Sequence, residues 1–119
     1  MKIFILEDDE NRNSKFRKMF AGHDLTMTEY AHEAIKLIHA NKYDMIFLDH
    51  DLGGQQMVDS SVLNTGYAVA KEIPDSINRD TRVVIHSFNP VGASNMAAIL
   101  PNSGRRPFGT FDESIVWEK

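Results

Sequence analysis

The sequence contains no cysteine, so disulfide bonds and thiolate metal sites are excluded. It has no run of basic residues, and its net charge of −4 argues against non-specific binding to double-stranded nucleic acid or to an anionic membrane. No apolar segment is long enough to span a bilayer. The apolar start Ile3–Leu6 is too short for a signal peptide and runs directly into acidic residues. These absences predict a cytoplasmic protein whose partners include neither nucleic-acid duplexes nor membranes.

No internal repeat or low-complexity tract interrupts the chain. Its 119 residues, 42% of them hydrophobic and 25% charged, have the composition of a soluble globular domain. That length is sufficient for one well-packed core. We therefore predict a single domain over residues 1–119.

Two continuous apolar runs indicate strands that are buried on both faces. Met45–Leu48 is bounded by Asp44 and by polar residues, and Lys2–Leu6 ends in a row of acids. Strands of this kind belong to parallel sheets that are covered by helices. Alternating polarity in Leu25–Thr28 predicts a second, less buried strand, and Thr81–Ser87 predicts a fourth.

Helical spacing of apolar residues separates these strands. The predicted helical segments are the stripe Phe16, Met19 and Phe20 before Gly22, the stripe Ala31, Ala34, Ile35 and Ile38, the segment Gly66–Ile73 stopped by Pro74, and the segment Val91–Leu100 ended by Pro101. After them, Arg105–Phe108 is predicted as a short fifth strand. Asp112 is predicted to cap one last turn that carries Ile115, Val116 and Trp117.

Strands and helices that alternate in this way predict an α/β fold with a doubly wound parallel sheet and right-handed crossovers. For five strands the order 2-1-3-4-5, known from flavodoxin-like folds, is the suitable one. The last strand is short and the last helix truncated.

The order 2-1-3-4-5 makes the carboxyl ends of strands 1, 3 and 4 neighbours, and ligands bind at such an edge. Polar residues follow each of these strands: Glu7-Asp8-Asp9, Asp49-His50-Asp51 and His86-Ser87. Residues far apart in the sequence are thereby predicted to converge.

Carboxylates gathered at one edge repel each other unless a cation lies among them. Without cysteine, oxygen ligands favour hard divalent cations, and we predict Mg²⁺ or Mn²⁺ as the cofactor. The candidate metal ligands are Glu7, Asp8, Asp9, Asp49 and Asp51. The sequence does not decide which two of Glu7, Asp8 and Asp9 face the metal, because the end of the strand is predicted only to within a residue or more. A solvated acidic helix start is the alternative.

These motifs resemble those of response-regulator receiver domains over residues 1 to 108. Receivers have an acidic pair after strand 1, a phosphoacceptor aspartate after strand 3, Thr or Ser after strand 4 and Lys-Pro-Phe after strand 5. The matching positions here are Glu7-Asp8-Asp9, Asp49, Ser87 and Arg106-Pro107-Phe108, so an arginine stands where receivers have lysine. The stretches around His50 and from His86 to Gly92 resemble a divergent branch, the cyclic-phosphate-processing receiver domains.

Membership of that branch implies handling of a phosphoester rather than signalling. Asp49 would then either attack phosphorus and form an aspartyl phosphate, or stay a metal ligand while water attacks. Ser87 would donate a hydrogen bond to a phosphoryl oxygen, and the planar fork of Arg106 would hold two oxygens.

Four further residues have both a functional and a structural interpretation. His50 and His86 suit general acids that protonate a leaving alkoxide. The alternatives are a loop residue at the rim for His50 and a core histidine for His86. Asn89 and Gly92 would form a backbone nest for an anion at the start of the fourth helix, or are ordinary turn residues beside Pro90.

Three functions remain open from the sequence. The first is a stand-alone domain that binds or processes a phosphoester through a divalent cation, with a phosphorylated small molecule or nucleotide as its partner. The second is a phosphorylation switch on Asp49, supplied by a partner histidine kinase. The third is a non-catalytic interaction protein. Specificity is expected to lie in the polar loop Gly53–Thr65.

Overall fold

A computed structural model describes residues 1–118 of the chain, which form a five-stranded parallel sheet with helices on both faces. The strands are β1 (Lys2–Leu6), β2 (Asp24–Thr28), β3 (Met45–Leu48), β4 (Arg82–Ile85) and β5 (Ser103–Arg105). Their order is β2-β1-β3-β4-β5, with every neighbouring pair parallel. The predicted fold class and strand order are confirmed.

The helices are α1 (Glu10–Met19), α2 (Ala31–Ala40), α3 (Gly66–Ala70) and α4 (Pro90–Ile99). Shorter 3₁₀ turns follow at Ile73–Asp75 and Glu113–Trp117. The second of these confirms the predicted last turn: Asp112 caps it, and its side chain accepts the Ser114 N–H. Ile115 and Val116 are buried there, whereas Trp117 is 70% exposed.

Two predicted boundaries were wrong. The third helix ends at Ala70 instead of Ile73, and Pro74 lies inside the following 3₁₀ turn, at a first-turn position where its missing N–H costs little. The fifth strand begins at Ser103, which pairs with Val83, and it ends at Arg105. Pairing with β4 thus starts almost directly after α4.

Alternating side chains of the strands fill one core on each side of the sheet. On one side, Phe4 and Leu6 of β1 pack with Ala34 and Ile38 of α2, and Met96 of α4 joins them. On the other side, Ile3, Ile5 and Phe47 pack with Phe16 of α1 and its C-cap Phe20, and with the tail residues Ile115 and Val116. Each fully buried Leu, Ile or Phe stabilises the fold by roughly 1.5–3 kcal/mol. The predicted helical stripes therefore do face the sheet.

Within residues 1–118, none of the helices is long and apolar enough to cross a membrane.

Candidate functional site

The register of the sheet brings three strand ends into one row. Leu6 of β1 pairs with Leu48 of β3, and Leu48 pairs with Ile85 of β4. The next residue on each strand is Glu7, Asp49 or His86, and all three are buried. One ligand atom from each of them lies within 4.8 Å of the other two. The predicted convergence at this edge is confirmed for these three positions.

The carboxylate of Glu7 is held from several sides. Arg12 of α1 donates from Nε to Oε1 at 2.7 Å and from Nη2 to Oε2 at 3.1 Å. His86 Nε2 lies 3.0 Å from Oε1. Burial opposes ionisation of Glu7, but the hydrogen bonds from His86 and Arg12 outweigh burial and hold its pKa well below the usual range. Glu7 is therefore a fixed negative charge at the β1 end of the row.

Asp49 lies beside that charge and behaves in the opposite way. Burial, together with the neighbouring Glu7 carboxylate, raises the pKa of Asp49 to about 8. Arg12 Nη2 is 3.8 Å from Asp49 Oδ2 and compensates only in part. Two carboxylates thus share one guanidinium, and the pair lacks positive charge.

A pH-dependent stability follows for the metal-free protein. The folded-state pKa of Asp49 is raised above its unfolded value of about 3.9. Between about pH 4 and pH 8 the folded state therefore binds more protons, and the free energy of unfolding falls as pH rises, by at most about 1.4 kcal/mol per unit. Urea unfolding from pH 5 to 7.5 measures this slope, and Asp49→Asn should flatten it. Equal slopes in the two proteins would contradict the prediction. Glu7 contributes only at lower pH, where its depressed pKa makes stability fall on acidification.

A cavity of about 490 Å³ opens above the row. Its lining includes the acids Asp8, Asp9, Glu10, Asp49 and Asp51, the cation Arg12, and Ser87 and Phe88 from the β4–α4 connection. Residues Gln55 to Met57 complete the wall, so the loop Gly53–Thr65 does border the site. Of the predicted metal ligands, four therefore face the cavity, and Glu7 lies behind Arg12.

Asp8 and Asp9 have different surroundings. Asp9 is the N-cap of α1, and its Oδ1 accepts the Arg12 N–H at 3.0 Å. Asp8 Oδ2 accepts the Gly54 N–H at 2.7 Å, a contact that Gly54 makes with a positive φ of 75°. Burial raises the pKa of Asp8. Asp8 thus links the first strand end to the loop, while Asp9 starts the helix.

His50 is completely buried, and both of its ring nitrogens have partners. Nδ1 lies 2.8 Å from Asp51 Oδ1, and Nε2 lies 2.9 Å from Ser60 Oγ. The loop N–H groups of Met57 and Val58 also donate to the Asp51 carboxylate. His50 and Asp51 therefore anchor the loop, and His50 is away from the cavity wall.

His86 is also buried below the cavity. Its ring contacts Phe16 edge to face at 5.2 Å, and its Nδ1 has no hydrogen-bond partner within residues 1–118. Its Nε2 contacts Glu7, so the His86 ring holds another member of the buried row.

Ser87, Asn89 and Gly92 form the turn into α4. Ser87 Oγ accepts the Asn89 N–H, and the Asn89 side chain caps α4 by accepting the Gly92 N–H. Asn89 Nδ2 also donates to Asp51 Oδ1 and to the Val58 carbonyl. A Cβ on Gly92 would lie 2.4 Å from the His50 ring. Asn89 and Gly92 thus have local structural tasks that the sequence also allowed.

The predicted phosphate ligand Arg106 does not reach the site. Its Nη1 pairs with Glu118 at 2.6 Å, and its Nη2 reaches the Thr110 carbonyl. Arg105 approaches the edge instead, and its guanidinium donates to the Ser87 backbone carbonyl at 3.2 and 3.3 Å. The cation that lies in the cavity is Arg12, which was not among the predicted site residues. It lies in the first turn of α1, five residues after Glu7, and no sequence pattern distinguishes that position from a solvent-exposed one.

The strand order, the row of acids and the cavity define a receiver-type domain. The chain belongs to the cyclic-phosphate processing receiver domain family, whose family model matches residues 1–102. No curated protein sequence matches the chain.

Solved structures of low sequence identity share the fold. A sensor histidine kinase receiver domain from Pseudomonas aeruginosa, with magnesium coordinated in its active-site cleft, has a TM-score of 0.75 at 18% identity, covering 98% of this chain and 90% of that one. A Burkholderia pseudomallei response regulator with a phosphorylated aspartic acid, calcium and citrate has a TM-score of 0.74 at 18% identity, covering 97% of this chain and 64% of that one. TrrA of Thermotoga maritima, in complex with Mg²⁺-BeF, has a TM-score of 0.67 at 19% identity, covering 91% of this chain and 88% of that one.

The donor set of the site fits a hard divalent cation. Five acids line the cavity against the single guanidinium of Arg12, and burial together with the neighbouring Glu7 carboxylate raises the pKa of Asp49. Carboxylate oxygens are the ligands that Mg²⁺ and Mn²⁺ prefer. The acidic cluster can therefore hold such an ion.

Proposed function

We propose that this domain binds a divalent cation and a phosphoester in the cavity, and that it processes a cyclic phosphoester. The row of Glu7, Asp49 and His86, with Arg12 fixed between the two carboxylates, carries the proposal. The family to which the chain belongs supports the cyclic substrate. The magnesium in the P. aeruginosa receiver supports the cation.

We assign the cation to Asp8 and Asp49. The oxygens of Glu7 are taken up by Arg12 and His86, and those of Asp51 by the loop. Asp8 and Asp49 both line the cavity, and each pKa is raised by burial, so positive charge nearby is favourable to both. Such a cation neutralises charge that develops on a phosphate.

Two side chains are placed to hold phosphoryl oxygens. Arg12 spends Nε and Nη2 on Glu7, which leaves Nη1 for a ligand. Ser87 Oγ accepts the Asn89 N–H, so its own proton is free to donate into the cavity. Arg12 thus takes the role that was predicted for Arg106, and Ser87 keeps the role that was predicted for it.

The two histidines act by positioning other groups. His86 holds Glu7, which in turn orients Arg12, and His50 holds Asp51 and the loop. Asp49 either attacks phosphorus directly or orients an attacking water, and in both courses one ring P–O bond breaks and the freed alkoxide takes a proton from water. The first course leaves the opened ester covalently on Asp49 until water releases it and the second does not, so the mass of protein quenched during turnover distinguishes them.

The main test measures Mg²⁺-dependent turnover of a panel of cyclic mono- and dinucleotides. We expect hydrolysis of at least one member, and we expect Ser87→Ala to slow it by about 10- to 150-fold, because a hydrogen bond to a charged group contributes about 1.5–3 kcal/mol. Ser114→Ala is the matched control, since Ser114 is exposed and, within residues 1–118, bonds to Asp112 alone. Absence of turnover across the panel at millimolar Mg²⁺ contradicts the proposal.

A second comparison defines the task of His86. Glutamine can still donate a hydrogen bond to Glu7, so His86→Gln should keep most of the activity and its pH profile, whereas His86→Leu should lose it. If His86 instead supplies a proton to the leaving alkoxide, His86→Gln should lose about 10²- to 10⁴-fold.

A phosphoacceptor switch is the second candidate. The B. pseudomallei response regulator carries a phosphorylated aspartic acid, and here Asp49 occupies the end of β3 within the cavity. Stable labelling of Asp49 by acetyl phosphate, without turnover of any cyclic nucleotide, would favour this function. If the protein shows neither labelling nor turnover, the remaining function is that of a non-catalytic interaction protein.

A further inference from the structure

Phe88 is unusual among the phenylalanines of this chain. Within residues 1–118, it is the one phenylalanine that is largely exposed, at 53%, while Phe4, Phe16, Phe20 and Phe47 are fully buried. It directly follows Ser87, and both residues line the cavity. An exposed aromatic ring beside an anion site is a surface on which a flat ligand group can stack.

Arg12 lies close both to the Phe88 ring and to the buried carboxylates of Glu7 and Asp49. The guanidinium carbon lies 5.8 Å from the centre of the Phe88 ring. The same guanidinium is fixed by two hydrogen bonds to Glu7 and is 3.8 Å from Asp49. The ring is therefore placed next to the group that we assign to the phosphate, and its exposed part remains open to a ligand.

The loop adds a different set of groups to the same cavity. Met57, 65% exposed and held at a positive φ of 51°, offers a polarisable thioether, and Gln55 and Gln56 offer amides that both donate and accept. The Met57 N–H donates to Asp51 Oδ2 at 2.7 Å, which holds the Met57 backbone in place. An aromatic ring, a thioether and amides next to a phosphate site match the chemistry of a nucleobase.

We propose that Phe88 is a stacking platform for the base of a nucleotide whose phosphate lies between Arg12 and Ser87. This inference rests on the proposed function and names its substrate class as nucleoside phosphates rather than phosphorylated sugars or lipids. Phe88 sets specificity and takes no part in bond making. Removing a stacked aromatic ring should weaken binding by about 5- to 150-fold per base.

The experiment compares ligands with and without a base. Isothermal titration in Mg²⁺ uses 2′,3′- and 3′,5′-cyclic nucleoside monophosphates, the matching methyl riboside cyclic phosphates, and a cyclic dinucleotide to separate mononucleotide from dinucleotide recognition. We expect wild type to bind the nucleotides about 5- to 150-fold more tightly than the ribosides. Phe88→Ala should abolish that difference and change riboside affinity less than twofold, and Phe88→Tyr should keep it. Trp117→Ala removes an exposed aromatic elsewhere and should change nothing.

Each other outcome has a defined meaning. Equal affinity of wild type for nucleotides and ribosides overturns the platform and leaves the phosphoester function standing. Equal weakening of both ligand classes in Phe88→Ala also overturns it, because the ring would then support the site structurally. If wild type binds neither class, the proposed function itself fails.

Discussion

Asparagine in place of Asp49 is expected to remove most of the stabilisation that Mg²⁺ gives to this protein. Ligand bound only to the folded state adds RT ln(1 + [L]/Kd), which is about 2.7 kcal/mol at a hundredfold excess over Kd. Asp49 is the one residue that belongs both to the buried row and to the cavity lining. Its loss leaves Asp8 as the single assigned ligand, and turnover should disappear with the ion.

The same substitution should have the opposite effect without metal. An amide carries no charge beside Glu7, so Asp49→Asn should be at least as stable as wild type at pH 7.5 in EDTA. Thermal unfolding with and without Mg²⁺ measures both effects. Asp80→Asn, a change on an exposed side chain, is the control. An unchanged Mg²⁺ shift in Asp49→Asn would remove Asp49 from the metal site.

Alanine at Gly66 should destabilise the fold by about 3 kcal/mol or more, since overpacking against backbone is among the costlier substitutions. A Cβ there would lie 1.8 Å from the carbonyl oxygen of Asp49 and 3.0 Å from the Cα of His50. The Gly66 N–H also donates to the His50 carbonyl at 2.9 Å, so the chain cannot move away without losing a hydrogen bond.

Urea unfolding of Gly66→Ala measures this cost. Gly22→Ala is the matched control, because a Cβ at Gly22 meets no atom within 4 Å. The control should stay within about 0.5 kcal/mol of wild type. A similarly small change in Gly66→Ala would show that the start of α3 is not pressed against β3.

The first four strands of the sheet could be predicted because each has a local pattern of apolar and polar residues. The continuous apolar runs of β1 and β3 are buried on both sides, and the alternation in β2 matches its partial exposure. The order of the strands was predicted as the doubly wound order that suits five strands, and the structure has that order. The last strand was placed wrongly because its bounds depend on its pairing with β4, such as Ser103 with Val83, which a local pattern does not contain.

The positive charge at the site could not be placed from the sequence. Arg106 matches the receiver lysine by motif, but the side chain bonds to Glu118 near the end of the chain. Arg12 occupies a helix position that reads as solvent-exposed, yet the turn at Asp9 directs its side chain back to Glu7. Side-chain direction after a helix cap is a three-dimensional property.

The histidines show the same limit. Both lie at the predicted edge, but one side chain anchors a loop residue and the other holds a carboxylate. Sequence position predicted their neighbourhood. It did not predict whether the ring nitrogens point into the cavity or beneath it.

The β3–α3 loop divides its residues into two groups that can evolve independently. One group fastens it: the Asp51–Thr65 bridge, the contact of Ser60 with His50, and Asn64, whose Oδ1 accepts the Ala31 N–H at the start of α2. The other group, Gln55 to Met57, lines the cavity. Side-chain substitutions in the second group change the wall of the cavity. They leave the fastening contacts in place, including the backbone hydrogen bond from Met57 to Asp51. Evolution can therefore vary this wall of the cavity at three adjacent codons, while selection for folding acts on the fastening residues.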